Sequence, residues 1–151
     1  MGVERLNGRT GEGDLRITYR PIGDLVPYVR NARTHSEAQV ALIAGSIRDY
    51  GWTNPVLVDG ANGILAGHGR VLAARQLGLT EVPTIELAHL TAVQKKAYIL
   101  ADNRLAEAAG WDRELLALEL GDLDGLGVDL TGLGFDPGEL DALLQAGQPD
   151  P

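Results

Sequence analysis

The chain has 151 residues, 44% hydrophobic and 23% charged, enough for one soluble globular domain with a core of its own. It contains no cysteine, which excludes disulfides, thiolate metal sites and thiol chemistry, and no apolar run approaches the roughly 18 residues of a membrane helix. The net charge of −8 argues against a stand-alone DNA binder, because Lys and Arg neutralising phosphates supply most non-specific affinity.

The charge is uneven. Most arginines lie between Arg16 and Arg75, whereas residues 101–151 hold many acids and only Arg104 and Arg113 as bases. A local site for a compact anion fits this pattern better than a site for a long duplex. The first residues, MGVERLNGRTGEGD, lack the apolar stretch of a secretory signal, so the expected location is the cytoplasm.

In chain order, residues 1–14 read as a Gly-rich, charged lead-in. Ile17-Thr18-Tyr19 is a short strand, and Asp24 to Tyr28 leads into a loop that carries Arg30, Asn31, Ala32, Arg33, Thr34 and His35. Ser36 with Gln39 three residues on forms a capping box. Val40, Ile43, Ala44 and Ile47 then recur at helical spacing, and Gly51 is a natural stop. Pro55 to Asp59 and Ile64 to Ala66 read as two strands of a hairpin turning at residues 60–63. A helix is expected from Arg70 to Leu77, stopped by Gly78, and a strand from Val82 to Leu87. Thr91 with Gln94 repeats the capping box, opening a helix to about Glu107. Asp112 caps a helix through Leu120, and Asp136-Pro137 opens a last one through Leu144. The order strand, helix, hairpin, helix, strand, then helices indicates a mixed α/β (α+β) fold with a helical C-terminal third.

The segment Ile64-Leu65-Ala66-Gly67-His68-Gly69-Arg70 carries the most chemistry. A strand runs through a glycine turn into a helix, whose first N–H groups and dipole favour an anion. Gly67 and Gly69 allow close backbone approach, Arg70 can fork onto phosphate oxygens, and His68 can donate a hydrogen bond or act as acid or base. On spacing alone, a plain β–α connection with a solvated arginine fits as well.

Other polar residues are weaker. Asn31 and Arg33 can reach a second phosphate or a base, or simply form a wet loop. Asp102, with Asn103 beside it, is an oxygen ligand suited to Mg²⁺, although mid-helix polar residues are commonly a solvated face. His35 and His89 stand alone without metal spacing and read as structural. Trp52 and Trp111 each follow a helix-ending glycine and read as core seals. No nucleophile elbow, His-x-x-x-His pair or phosphate-loop motif is present.

Together these segments resemble the ParB/sulfiredoxin superfamily, in particular its ParB-like N-terminal (ParB-like nuclease) domain. The resemblance runs from about Ile17 to Asn103. It rests on Asn31-Ala32-Arg33, Ser46 to Gly51, Asn54 to Val58, Ile64 to Arg70, Gly78 to Pro83 and Asp102-Asn103, in that order. It implies a small mixed sheet with flanking helices and a pocket for a nucleoside triphosphate, CTP or ATP, with Mg²⁺. Gly67, His68, Gly69 and Arg70 would cradle phosphates, Asn31 and Arg33 would close the pocket, Asn103 would line it, and Asp102 would face the metal.

The chain departs from the family in three places. The usual Gly-Glu-Arg-Arg is here Gly-His-Gly-Arg, Ala106 stands where an arginine is expected, and no basic helix-turn-helix follows. A cysteine-based sulfiredoxin activity is excluded, and no haem, flavin or zinc is implied. Ala101-Asp102-Asn103, Ala109-Gly110-Trp111-Asp112 and Gly134-Phe135-Asp136 are similar to a subgroup that often precedes DNA methyltransferase domains in phage and mobile-element proteins.

The expected organisation is a lead-in at 1–14, a ParB/sulfiredoxin-like domain at 15–110, a helical extension at 111–146 and a linker at 147–151. The expected function is nucleotide or phosphate binding in DNA modification, DNA binding or segregation. Two alternatives stay open. One is an enzyme, either a metal-dependent nuclease using Asp102 or Glu37 with His68, or a serine kinase using ATP or ADP. The other is an interaction module for a DNA methyltransferase domain. Expected partners are the nucleotide, weakly DNA, a methyltransferase domain and a second copy in a homodimer, but no membrane.

Overall fold

The computed structural model describes residues 15–29 and 34–146. Asn31 and Arg33, the lead-in and the tail lie outside the described residues. The chain divides into two compact units, residues 1–106 and 107–151.

The first unit is built on a four-stranded sheet of β1 (Ile17–Pro21), β2 (Val56–Val58), β3 (Ile64–Ala66) and β4 (Glu81–Glu86). The strand order is β1-β4-β2-β3. β1 pairs with β4 and β2 with β3 antiparallel, while β2 and β4 run parallel with Leu57 opposite Ile85. The helices are α1 (Glu37–Tyr50), α2 (His68–Gln76) and α3 (Ala92–Ala108). The mixed α/β fold expected from the sequence is therefore the fold observed. A 3-10 turn at Ile22–Asp24 follows β1, where the sequence pattern carries no helical signal.

Strand alternation sorts the core. Val56, Val58, Ile64 and Val82 meet Val71 and Ala74 of α2 on one face, together with Ile22, Leu25 and half-buried Trp52. Leu65, Leu87 and Ile99 of α3 cluster separately with Tyr28, Leu57 and Ile85. A third cluster joins α1 to α2 through Val40, Ala44 and Ala73. Burying each valine stabilises the unit by about 1.5–3 kcal/mol. Thr84 is a fully buried polar residue, and its hydroxyl donates to the Thr18 carbonyl at 2.6 Å, so its burial leaves no orphan.

Capping chemistry sets the helix starts. Ser36 Oγ accepts from the Gln39 N–H at 3.1 Å, but the Gln39 side chain pairs with His35 Nδ1 at 3.0 Å. The capping box expected at α1 is thus half a box. At Thr91 it is complete, with both reciprocal bonds formed, at 2.9 and 3.2 Å.

The second unit contains α4 (Arg113–Gly125) and α5 (Pro137–Ala146), separated by a 3-10 turn at Leu130–Leu133. Asp112 accepts from the Leu115 N–H and Asp136 from the Glu139 N–H, as their positions in the sequence suggest. Leu120, Leu130, Leu140 and Leu143 form its core. Trp111 corrects the sequence reading, because it is not a core seal. It precedes the Asp112 cap, rests on Phe135 at a ring separation of 6.0 Å, and stays 68% exposed. No helix among the described residues is long and apolar enough to cross a membrane.

Candidate functional site

The site begins where β3 ends. Gly67 has φ +105, ψ 20, a left-handed conformation that turns the strand sharply into α2. A Cβ at Gly67 would lie 3.2 Å from Arg70 Nη2 and 3.3 Å from the Val56 backbone, so glycine is needed for space as well as for φ. The helix starts at His68, two residues earlier than expected. His68, Gly69 and Arg70 therefore form its first turn rather than a loop. Among the described residues no side chain caps this turn, and the first amide groups of a helix have no intrahelical acceptor.

These residues open on a cleft of about 250 Å³. Its walls are His35, Gln39 and Ile43 from the α1 side, Ala66 to Arg70, and Asp102 and Asn103 of α3. The structure brings together Gly67, His68, Gly69, Arg70, Asp102 and Asn103, which are separated by up to 36 positions in the sequence. Glu37 is not in the lining. Ala106 is, at the position where the family resemblance expects an arginine, while Arg104 is absent from the lining.

Arg70 is half-buried. One Nη2 donates to the Pro55 carbonyl at 3.2 Å, and Nε is buried with no hydrogen-bond partner. Burial lowers the pKa of this guanidinium from its ordinary value, and the Asp102 carboxylate opposes the shift. Burial, followed by the same carboxylate, raises the Tyr98 hydroxyl. Asn103 Nδ2 donates to the Ile99 carbonyl at 2.9 Å, which orients the amide on α3.

His68 is held from the other side. The backbone N–H of Tyr28 donates to His68 Nε2 at 3.1 Å, so the neutral ring carries its proton on Nδ1. Burial lowers the His68 pKa, and the nearby His35 lowers it further. His35, which reads in the sequence as structural, lines the same cleft, and a Cβ on Gly69 would meet its ring at 3.0 Å. Its position directly before the Ser36 cap was the available clue. Gln39 and Ile43, one and two turns along α1, follow from it.

Among the described residues no three His, Asp or Glu side chains are grouped to hold a metal ion. Asp102 alone suits Mg²⁺ only when phosphate oxygens complete the shell, which is how that ion is usually held beside nucleotides.

Residues 114–151 match the model of the ParB-methyltransferase HTH domain. The sequence reading expects no basic helix-turn-helix, and the matched residues are acidic, with Arg113, the first residue of α4, standing just before them. The ParB-like nuclease domain-containing protein YnaK of Escherichia coli (strain K12) is 55% identical over 82 residues, which covers 54% of this chain and 94% of that protein. Among solved structures, the C-terminally truncated chromosome-partitioning protein ParB of Caulobacter crescentus, complexed with CTP-γ-S, superposes with a TM-score of 0.69 at 22% identity, covering 89% of this chain and 81% of that one. A Pnob8-like ParB-N domain gives a TM-score of 0.51 at 17% identity, covering 74% of this chain and 46% of that one. The two structural likenesses concern the fold.

Proposed function

The chain belongs to the ParB-like nuclease domain family, and from that premise we propose that its first unit binds a nucleotide or phosphate group at the start of α2, in a role tied to DNA modification, DNA binding or segregation. The observation that carries this reading is Arg70. A half-buried guanidinium with an orphaned Nε costs stability, roughly 1–3 kcal/mol for an unpaired buried donor, and an anion in the cleft would remove that cost. The uncapped first turn adds N–H donors and a favourable dipole. Asn103 lines the pocket and Asp102 faces a Mg²⁺ carried in with phosphates, while the roles that the family resemblance gives Asn31 and Arg33 remain expectations from the sequence. The solved relative that holds a CTP analogue supports a nucleoside triphosphate, CTP or ATP, as the ligand class.

The test is calorimetric titration of the chain with CTP, ATP and ADP in Mg²⁺. We expect saturable binding to one of them, weakened by about 1.5–3 kcal/mol in Arg70→Ala, the scale of a hydrogen bond to a charged group. Equal affinity in the variant would overturn the site.

A second reading, turnover at the same cleft, is favoured by Asp102 lying beside Arg70, with His68 as acid or base. It predicts nuclease or phosphotransfer products that disappear in Asp102→Ala. The methyltransferase association suggested by the matched HTH model is a third element of the proposal, with that domain as partner of the second unit.

A further inference from the structure

The second unit matches a model named for a helix-turn-helix, yet residues 107–151 hold eleven carboxylates and a single base, Arg113. Its last helix, α5, carries Glu139 and Asp141 and no Lys or Arg. A helix that reads DNA must first approach phosphates, and that approach depends on Lys and Arg. The charge here repels them.

α4 nevertheless has two apolar faces. Leu116, Leu120 and Leu123 face the core of the unit. On the opposite side Trp111, Leu115 and Leu118 follow one another at spacings of four and three, and they are 68%, 59% and 58% exposed. Leu115 and Leu118, three apart within α4, align along one face of the helix, and Trp111 precedes the Asp112 cap at the N-terminal end of that helix. Trp111 is steadied by its contact with Phe135, which makes it a preformed aromatic anchor rather than a loose side chain. Glu114, Glu119 and Asp122 flank the stripe, and none of them is in an ion pair among the described residues.

We propose that this outer face of α4 docks a basic amphipathic helix of a partner protein, with apolar residues on the Trp111-Leu115-Leu118 stripe and Lys or Arg against Glu114, Glu119 and Asp122. Charge complementarity selects the occupant. An acidic rim around an apolar centre fits a helix with a leucine stripe edged by bases, and it disfavours both duplex DNA and a second, equally acidic copy of α4. This inference stands apart from the nucleotide reading, since it uses no residue of the first unit.

The probe is a synthetic helix of about 20 residues with leucines at heptad positions a and d and lysines beside them. It is titrated into the full ¹⁵N-labelled chain, and the indole N–H of Trp111 and the amides of α4 are followed. We expect saturable shifts, with the dissociation constant raised at least tenfold by Leu115→Glu/Leu118→Glu and likewise by Glu114→Lys/Glu119→Lys/Asp122→Lys. Glutamates in place of the peptide's lysines should abolish binding. All five positions are exposed, and unchanged circular dichroism would show that the variants fold.

Three results would overturn the proposal. One is no shift in α4 at millimolar peptide. Another is duplex DNA shifting α4 or α5 at physiological salt, which would make the unit a DNA reader. The third is a dimer by sedimentation that Leu115→Glu/Leu118→Glu dissolves, which would assign the stripe to a second copy.

Discussion

The Tyr28 N–H and His68 Nε2 form a hydrogen bond of 3.1 Å across forty positions of sequence, tying the segment after the Ile22–Asp24 turn to the first residue of α2. The bond requires neutral imidazole, since a protonated ring offers no lone pair. Burial and His35 lower the folded-state pKa of His68, in the same direction. The sign follows. A depressed folded pKa gives stability that is fully present above the ordinary histidine value near 6.5 and is lost as pH falls through the folded pKa. Melting temperature should therefore drop between pH 7.5 and 5.5 in the native chain and drop less in His68→Gln, which keeps an acceptor without titrating. Parallel pH profiles for the two proteins would refute the coupling.

Gly67 and Gly69 differ in what they tolerate. At Gly67 a side chain meets both a left-handed backbone and contacts of 3.2–3.3 Å, so Gly67→Ala should cost about 1–3 kcal/mol in urea unfolding. Gly69 lies inside α2, where alanine gains up to about 1 kcal/mol of helix propensity. Against that gain, its Cβ would press on the His35 ring and Ile43 Cδ1, both at 3.0 Å. Gly69→Ala should consequently be the milder change in stability while still narrowing the cleft. The reverse ranking would show that the start of α2 is not as tight as these distances require.

Asp59 organises the hairpin tip. Its Oδ1 accepts from the Ala61 and Gly63 N–H groups at 2.8 Å each, and its Oδ2 accepts from Lys95 Nζ at 3.1 Å. Burial raises the Asp59 pKa, but the two backbone donors and Lys95 together outweigh it and leave it lowered. Its stabilising contribution is present above the ordinary aspartate pKa and is lost as pH falls through the depressed folded value. Asp59→Ala removes two hydrogen bonds from turn N–H groups to a charged acceptor and should cost roughly 1–3 kcal/mol. Lys95→Met removes only a partly exposed ion pair and should cost under about 1 kcal/mol. Similar losses in the two variants would mean that the ion pair, rather than the turn, holds the tip.

The sequence was most legible where the chemistry is local. Ser36, Thr91, Asp112 and Asp136 announce their helices because a cap acts within three residues. The Gly67–Arg70 segment stood out because a glycine turn between a strand and a helix is itself a local pattern. What stayed hidden depends on tertiary contact. Gln39 completes its box at α1 only if His35 leaves it free, and the fold places His35 alongside. Asp102 is exposed, as a wet helix face should be, and only the packing of α3 on the sheet shows that it also lines the cleft with Arg70. Trp111 reads as core because tryptophan usually is, and nothing local says that Phe135 covers only one side of it. His68 gave no hint of Tyr28, whose partner is a backbone group and carries no residue code.

Arg70 offers a way to separate the fold from the site. A residue kept for packing loses stability when it is replaced, whereas one kept for a ligand can be replaced by an apolar side chain of similar length at little cost. Arg70 has the second profile. Its Nε is buried and unpaired, one hydrogen bond reaches the Pro55 carbonyl at 3.2 Å, and burial already disfavours its charge. Methionine preserves most of the stem's packing and removes the orphaned donor, at the expense of the Pro55 bond, which is worth about 1 kcal/mol. The two effects are of similar size and opposite sign. Arg70→Met should therefore unfold within about 1 kcal/mol of the native chain in urea while losing the nucleotide titration expected of the cleft. A loss of several kcal/mol would instead make Arg70 a structural strut between α2 and the residue that leads into β2, and the anion reading of its position would fall with it.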